Sequence, residues 1–242
     1  MDKITVENID IELLRKKIKN IHLTVYPPDG RISLSVPKQM DDEAVRNFVV
    51  SKLAWINKQK SKLTTQEVQT EREYISGESH YFLGSKYLLN IIETTGKQHV
   101  ELTSNKCLDL HARSGCSAEN REKMLSEWYR QNLKEIIPPL IEKWEKIIGV
   151  NVNDFGIKLM KTRWGTCNIR DGRIWLNLEL AKKNPRCIEY IVVHEMVHLL
   201  EKYHNQNFKN YMNKFLPDWK VIKNDFLQLP GPLNLAGVRG IY

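Results

Sequence analysis

No stretch of eighteen uncharged apolar residues occurs in the 242-residue chain, so the sequence offers no membrane-spanning helix. The N-terminus MDKITVENIDIELLRKK carries acids and no apolar core, which excludes a secretory signal and makes a cytoplasmic location the expectation. Four cysteines, Cys107, Cys116, Cys167 and Cys187, form no CxxC pair, which argues against a zinc ribbon and for free thiols in a reducing compartment. Runs of five or six like charges are absent, and so are internal repeats and low-complexity tracts. A formal net charge of +8 suits an anionic partner, and nucleic-acid association is one candidate, but the lysines are spread rather than bunched.

What remains, 41% hydrophobic and 27% charged residues, is the composition of an ordinary globular protein large enough to bury a core. The segments Ile21 to Tyr26 and Arg31 to Val36 alternate apolar and polar residues around a Pro-Pro-Asp-Gly turn, which predicts a β-hairpin. From Asp41, Val45, Phe48, Val49 and Ile56 recur at helical spacing, with acids in the first turn and lysines near the end. Short apolar runs between Tyr74 and Leu110, punctuated by Gly84 and Gly96, predict more strands. AENREKMLSEWYRQNLKEIIPPLIEKWEKIIG then reads as helix, with Pro138-Pro139 expected to bend or split it and Gly149 to end it. Asp171-Gly172 separates two further extended runs, and Ile174 to Leu180 alternates as a half-buried strand does. Asn184 and Pro185 open a helix expected to reach Glu201. The expected fold is α+β: a β-rich region over residues 1–117, a second domain over 118–229, and a Gly/Pro-containing tail over 230–242.

Inside that last helix, YIVVHEMVHLLEKYHNQNF sets His194 and His198 one turn apart, so that both imidazoles can aim at one divalent metal. Glu195 projects beside that point as a general base, the H-E-x-x-H arrangement of zinc hydrolases. His204 becomes a third nitrogen ligand if the chain turns after Glu201, and three protein ligands leave the open position of a catalytic site. The apolar neighbours Ile191, Val192, Met196 and Val197 would bury these polar groups, which then need partners. Glu201 stands where metzincins carry glycine, which argues against that group. Tyr203, Arg163 and Tyr190 are candidate donors to substrate or to an oxyanion, and Glu201 or Asp218 could orient a ligand histidine. The strand from Ile174 to Leu180 is either an edge along which substrate aligns or an ordinary core strand. Cys167 lacks a thiol-activating arrangement, so a Trp-Gly turn packing on the helix is the better reading of its segment.

The segments RWGTC (Arg163 to Cys167), IWLNLEL, and NPRCIEYIVVHEMVHLLEKYHNQNF resemble, in order and spacing, the YgjP-like zinc metallopeptidases related to SprT-type proteases. The resemblance extends to KLAWI and GESHYFLGSKYLL and covers about residues 9 to 228, with Thr166 standing where that family usually has serine. It implies a zincin-like catalytic half that binds Zn2+ through His194, His198 and His204, uses Glu195 as general base, and acts on protein or peptide substrates. A zinc hydrolase of another amide stays open, as does a nucleic-acid-associated module with a structural metal. The latter requires a fourth protein ligand, and neither Cys167 nor Cys187 has the spacing for it.

Overall fold

The computed structural model describes residues 2–26, 29–65, 72–103, 105–161 and 163–228; Pro27, Pro28 and the expected tail 230–242 lie outside them. The fold is α+β, and the described residues form two compact units, one within residues 1–70 and one within residues 71–231. The boundary expected near residue 117 falls inside the second unit, at the N-cap of its longest helix.

In the first unit, β1 (Asp2–Val6), β2 (Ile9–Lys16), β3 (His22–Tyr26) and β4 (Arg31–Pro37) form a sheet in the order β1-β2-β4-β3. The β3–β4 hairpin pairs as its alternation predicts, and β2 joins it parallel to β4. Helix α1 (Asp42–Thr65) starts where the Asp41 carboxylate accepts the Ala44 N–H at 2.6 Å. Its buried Val45, Val49 and Ile56 close a core with Ile11, Leu13, Ile32, Leu34 and Val36.

The second unit opens with β5 (Ser79–Phe82), β6 (Ser85–Glu93), β7 (His99–Leu102) and β8 (Cys107–Ala112), in the order β5-β6-β8-β7. Helix α2 (Ala118–Ile148) follows, capped by the Ser117 side chain and ended by Gly149 at φ 79°. Pro138 and Pro139 do not split it. Two ladder hydrogen bonds are lost there, but buried Leu133, Ile137, Ile141 and Trp144 hold the helix on both sides of the prolines.

Three strands, β9 (Asp154–Lys158), β10 (Gly165–Asn168) and β11 (Arg173–Asn177), form a sheet in the order β10-β11-β9. Strand β11 stops three residues short of the expected Leu180, because the Asn177 side chain accepts the Glu179 N–H and starts a 3₁₀ turn over Leu178–Lys182. It is also the central strand, so the sheet's edges are β10 and β9, and of the two β10 carries residues of the cleft described below. Helices α3 (Pro185–Val197), α4 (Gln206–Phe215) and α5 (Trp219–Gln228) complete the unit. The β5–β6 turn docks on the start of α3: Leu83 N–H donates to Ala181 O at 2.8 Å, and Gly84 sits so close to Asn184 that a Cβ would lie 2.8 Å from the asparagine Cβ. Among the described residues, no helix is long and apolar enough to cross a membrane.

Candidate metal centre

The site is built on α3 and on the strand that faces it. Asn184 caps the helix through Cys187 N–H at 3.1 Å and Pro185 occupies its first turn, as the sequence predicts. Ten of its thirteen residues are buried, among them His194 and Glu195 at 2% and 5% exposure. The helix ends at Val197, earlier than the expected Glu201. There its hydrogen bonds shorten their reach, Leu199 N–H to Met196 O and Leu200 N–H to Val197 O, both at 3.0 Å. His198 Nδ1–H donates to the Glu201 carbonyl at 3.0 Å, which closes the turn and leaves Nε2 of the neutral ring as an acceptor. The chain reverses and returns His204.

One nitrogen from each of His194, His198 and His204 then lies within 4.8 Å of the other two, with the Nε2 atoms of His194 and His204 2.9 Å apart. The Phe208 ring, 1% exposed, is the common floor: its centroid is 4.9, 4.8 and 4.7 Å from those of His194, His198 and His204. Asn205 starts α4 by accepting the Phe208 N–H at 3.0 Å, so the residue after the third histidine sets the floor in place.

The facing strand is fixed by Asn177, which is wholly buried. Its Nδ2 donates to Met160 O at 2.9 Å and to Arg163 O at 2.7 Å, and its backbone N–H donates to Trp164 O at 2.9 Å. Trp164, 4% exposed, packs edge-on to Phe226 with centroids 4.5 Å apart. Gly165, the next residue, meets Glu195: a Cβ there would lie 2.5 Å from Oε1 and 2.6 Å from Cγ. Only glycine lets the strand come that near the carboxylate.

Burial pushes the Glu195 carboxyl up to about 8, with the Arg163 guanidinium pulling it down. Burial also lowers the basicity of His198, and takes His204 down to about 4, with His198 and Lys223 acting the same way. Imidazoles of lowered basicity beside a buried carboxyl suit a divalent cation: it takes the nitrogen lone pairs, and its charge acts on Glu195 in the same direction as Arg163. Three histidine nitrogens are a donor set for a borderline transition metal rather than for magnesium or calcium.

An open cleft of about 830 Å³ reaches the cluster, with His194, Glu195, His198 and His204 in its wall together with Arg163, Thr166 and Cys167. Burial and the nearby Glu195 push the Cys167 thiol up to about 12, the opposite of an activated nucleophile. Arg163 is thus brought to the site. Tyr203 is 64% exposed and not among the residues of the cleft wall, and Tyr190 is fully buried one turn before His194. Glu201 holds His198 through its backbone carbonyl, while its carboxylate accepts the Tyr203 N–H at 3.1 Å; Asp218 pairs with Arg186. The sequence predicts Gly165 in a turn packing on the helix, and it does pack there, but without its contact to Glu195 being foreseen; Phe208 and Asn177 received no role from the residues alone. A glycine next to a buried tryptophan and an asparagine at a strand end were their only local signals.

The family model described as YgjP-like, metallopeptidase domain, matches residues 19–228. Among solved structures, the metallopeptidase zymogen of Pyrococcus abyssi abylysin is 23% identical over 37% of this chain and 90% of its own, with a TM-score of 0.35. That of Methanocaldococcus jannaschii jannalysin is 19% identical over 38% of this chain and 94% of its own, again with a TM-score of 0.35. No curated protein matches the chain.

Proposed function

This chain belongs to the YgjP-like metallopeptidase family, and we propose that it is a zinc-dependent peptidase with His194, His198 and His204 as the metal ligands and Glu195 as the general base. The observation that carries this reading is the convergence of three imidazole nitrogens within 4.8 Å of one another, next to a buried glutamate. When bound, zinc supplies a Lewis acid that polarises the scissile carbonyl and acidifies a water. Glu195 takes the proton of the attacking water and delivers it to the departing amine, and Gly165 fixes the carboxylate by occupying the space behind it. The Nδ1–H bond of His198 to Glu201 O sets the tautomer that offers Nε2 to the metal.

Substrate is an extended protein or peptide segment that pairs with the β10 edge, beside the cleft that Thr166 and Cys167 line. Arg163 stabilises the developing oxyanion or binds a substrate carbonyl, supported by its place in the cleft wall; Tyr203 reaches it only if its turn moves.

Chelation followed by stoichiometric metal return tests the proposal. Cleavage of an unfolded protein substrate should stop on chelation and return with one equivalent of zinc, and Arg163→Ala should lower the rate by about tenfold or more. Cleavage that persists in the chelated chain overturns the zinc reading.

A further inference from the structure

Away from the cleft, a second group of ligating side chains lies on the four-stranded sheet of the second unit. His99 on β7 and His111 on β8 are directly opposed in the antiparallel register, and Glu101 follows two residues after His99 on the same face of β7. The two imidazoles are stacked, with centroids 4.3 Å apart and planes within 6°. Both Nε2 atoms face one carboxylate oxygen: Glu101 Oε1 is 3.2 Å from His111 Nε2 and 3.8 Å from His99 Nε2. One ligand atom from each of the three residues lies within 4.8 Å of the other two. A tetrahedral ion with bonds of about 2.0–2.1 Å spaces its ligand atoms roughly 3.3 Å apart, so small rotamer changes bring all three onto one ion.

The hydrogen bonds already orient the ligands. His99 Nδ1–H donates to Lys97 O at 3.0 Å, and His111 Nε2 lies within hydrogen-bond distance of Glu101 Oε1, at 3.2 Å, so both rings are held facing the same carboxylate. Asp109, paired with Glu101 in the register and on the same face of β8 as His111, adds a second negative charge. The side chains are 44%, 53% and 20% exposed for His99, Glu101 and His111, which leaves water to fill the remaining coordination positions.

We propose that His99, Glu101 and His111 form a second, surface metal site for a borderline divalent cation such as zinc, nickel or copper, which bridges the edge strand β7 to β8. Two imidazoles and a single carboxylate select such ions over magnesium and calcium, which prefer oxygen. The site is independent of the cleft, since none of its residues lies in the wall of the latter.

Equilibrium dialysis of the full chain against zinc at neutral pH, with metal counted per chain, tests this. The wild type should hold one more equivalent than His111→Ala, with His99→Ala and Glu101→Gln each weakening that equivalent by about tenfold or more. Magnesium should not displace it. His198→Ala removes a different equivalent, so loss of the cleft metal and loss of the surface metal are read separately. Circular dichroism identical to wild type excludes misfolding of the variants, whose changes leave the inward-facing Leu108 and Leu110 intact. A wild type whose zinc content is unchanged by His111→Ala and by Glu101→Gln overturns the proposal.

Discussion

His204 Nε2 stands 2.9 Å from His194 Nε2, although ten residues and the end of a helix separate them. What closes that gap is the early stop of α3 at Val197 together with the Phe208 ring, which supports all three histidines. Phe208→Ala should therefore act twice. Loss of the buried ring costs about 3–5 kcal/mol of stability, and with the floor gone metal affinity should fall about 10–100-fold. Denaturant unfolding and competition with a chelator measure the two effects, and Phe208→Leu should restore most of the stability.

Gly165→Ala is expected to separate rate from stability. The added methyl meets Glu195 Oε1 at 2.5 Å, so the carboxylate must move while the histidines stay. A displacement on the order of 1 Å at such a group lowers turnover about a hundredfold. Metal content should match wild type, and kcat on a peptide substrate should carry the loss.

Asn177→Ala removes the acceptor of the Glu179 N–H and the donor to the Met160 and Arg163 carbonyls, in part-buried hydrogen bonds. The expected cost is about 1–3 kcal/mol, the loss of several part-buried hydrogen bonds around a wholly buried side chain. Thermal unfolding reads it, and the rate should fall as well because the segment leading into Gly165 loosens.

His80, which is not in the cleft wall, gives the fold a dependence on pH. It is 2% exposed, its Nδ1 accepts from Arg72 Nη1 at 2.9 Å, and burial, then Arg72 and Lys182, take it down to about 3 from an ordinary 6.5. Between those values the unfolded chain binds a proton that the folded chain does not, so stability rises with pH across that window. The contribution is fully present above about pH 6.5 and is lost as pH falls toward 3, by up to about 1.4 kcal/mol per pH unit. Urea unfolding between about pH 7 and pH 4 should show a shallower loss for His80→Gln than for wild type. Equal slopes would remove His80 from the account.

Sequence reading went furthest where chemistry is local. The H-E-x-x-H spacing, the N-cap Asn184, the C-cap Gly149 and the β3–β4 hairpin each rest on residues within a few positions of one another, and the structure brings His194, His198 and His204 together. It failed where distant groups decide. The parallel pairs β2–β4, β6–β8 and β9–β11 join segments that no period connects. The prolines of α2 argued locally for a break that the buried face overrides. Strand β11 and helix α3 both end early because one side chain, Asn177 in the first case and His198 in the second, bonds the backbone just beyond it.

The central claim is that three histidines hold zinc while Glu195 moves the proton. Metal content and cleavage of an unfolded protein, measured together on wild type, Glu195→Gln and His198→Ala, test it most directly. The expected result is zinc in wild type and in Glu195→Gln, cleavage in wild type alone, and one equivalent of zinc missing from His198→Ala. Zinc content and cleavage both unchanged in His198→Ala would contradict it.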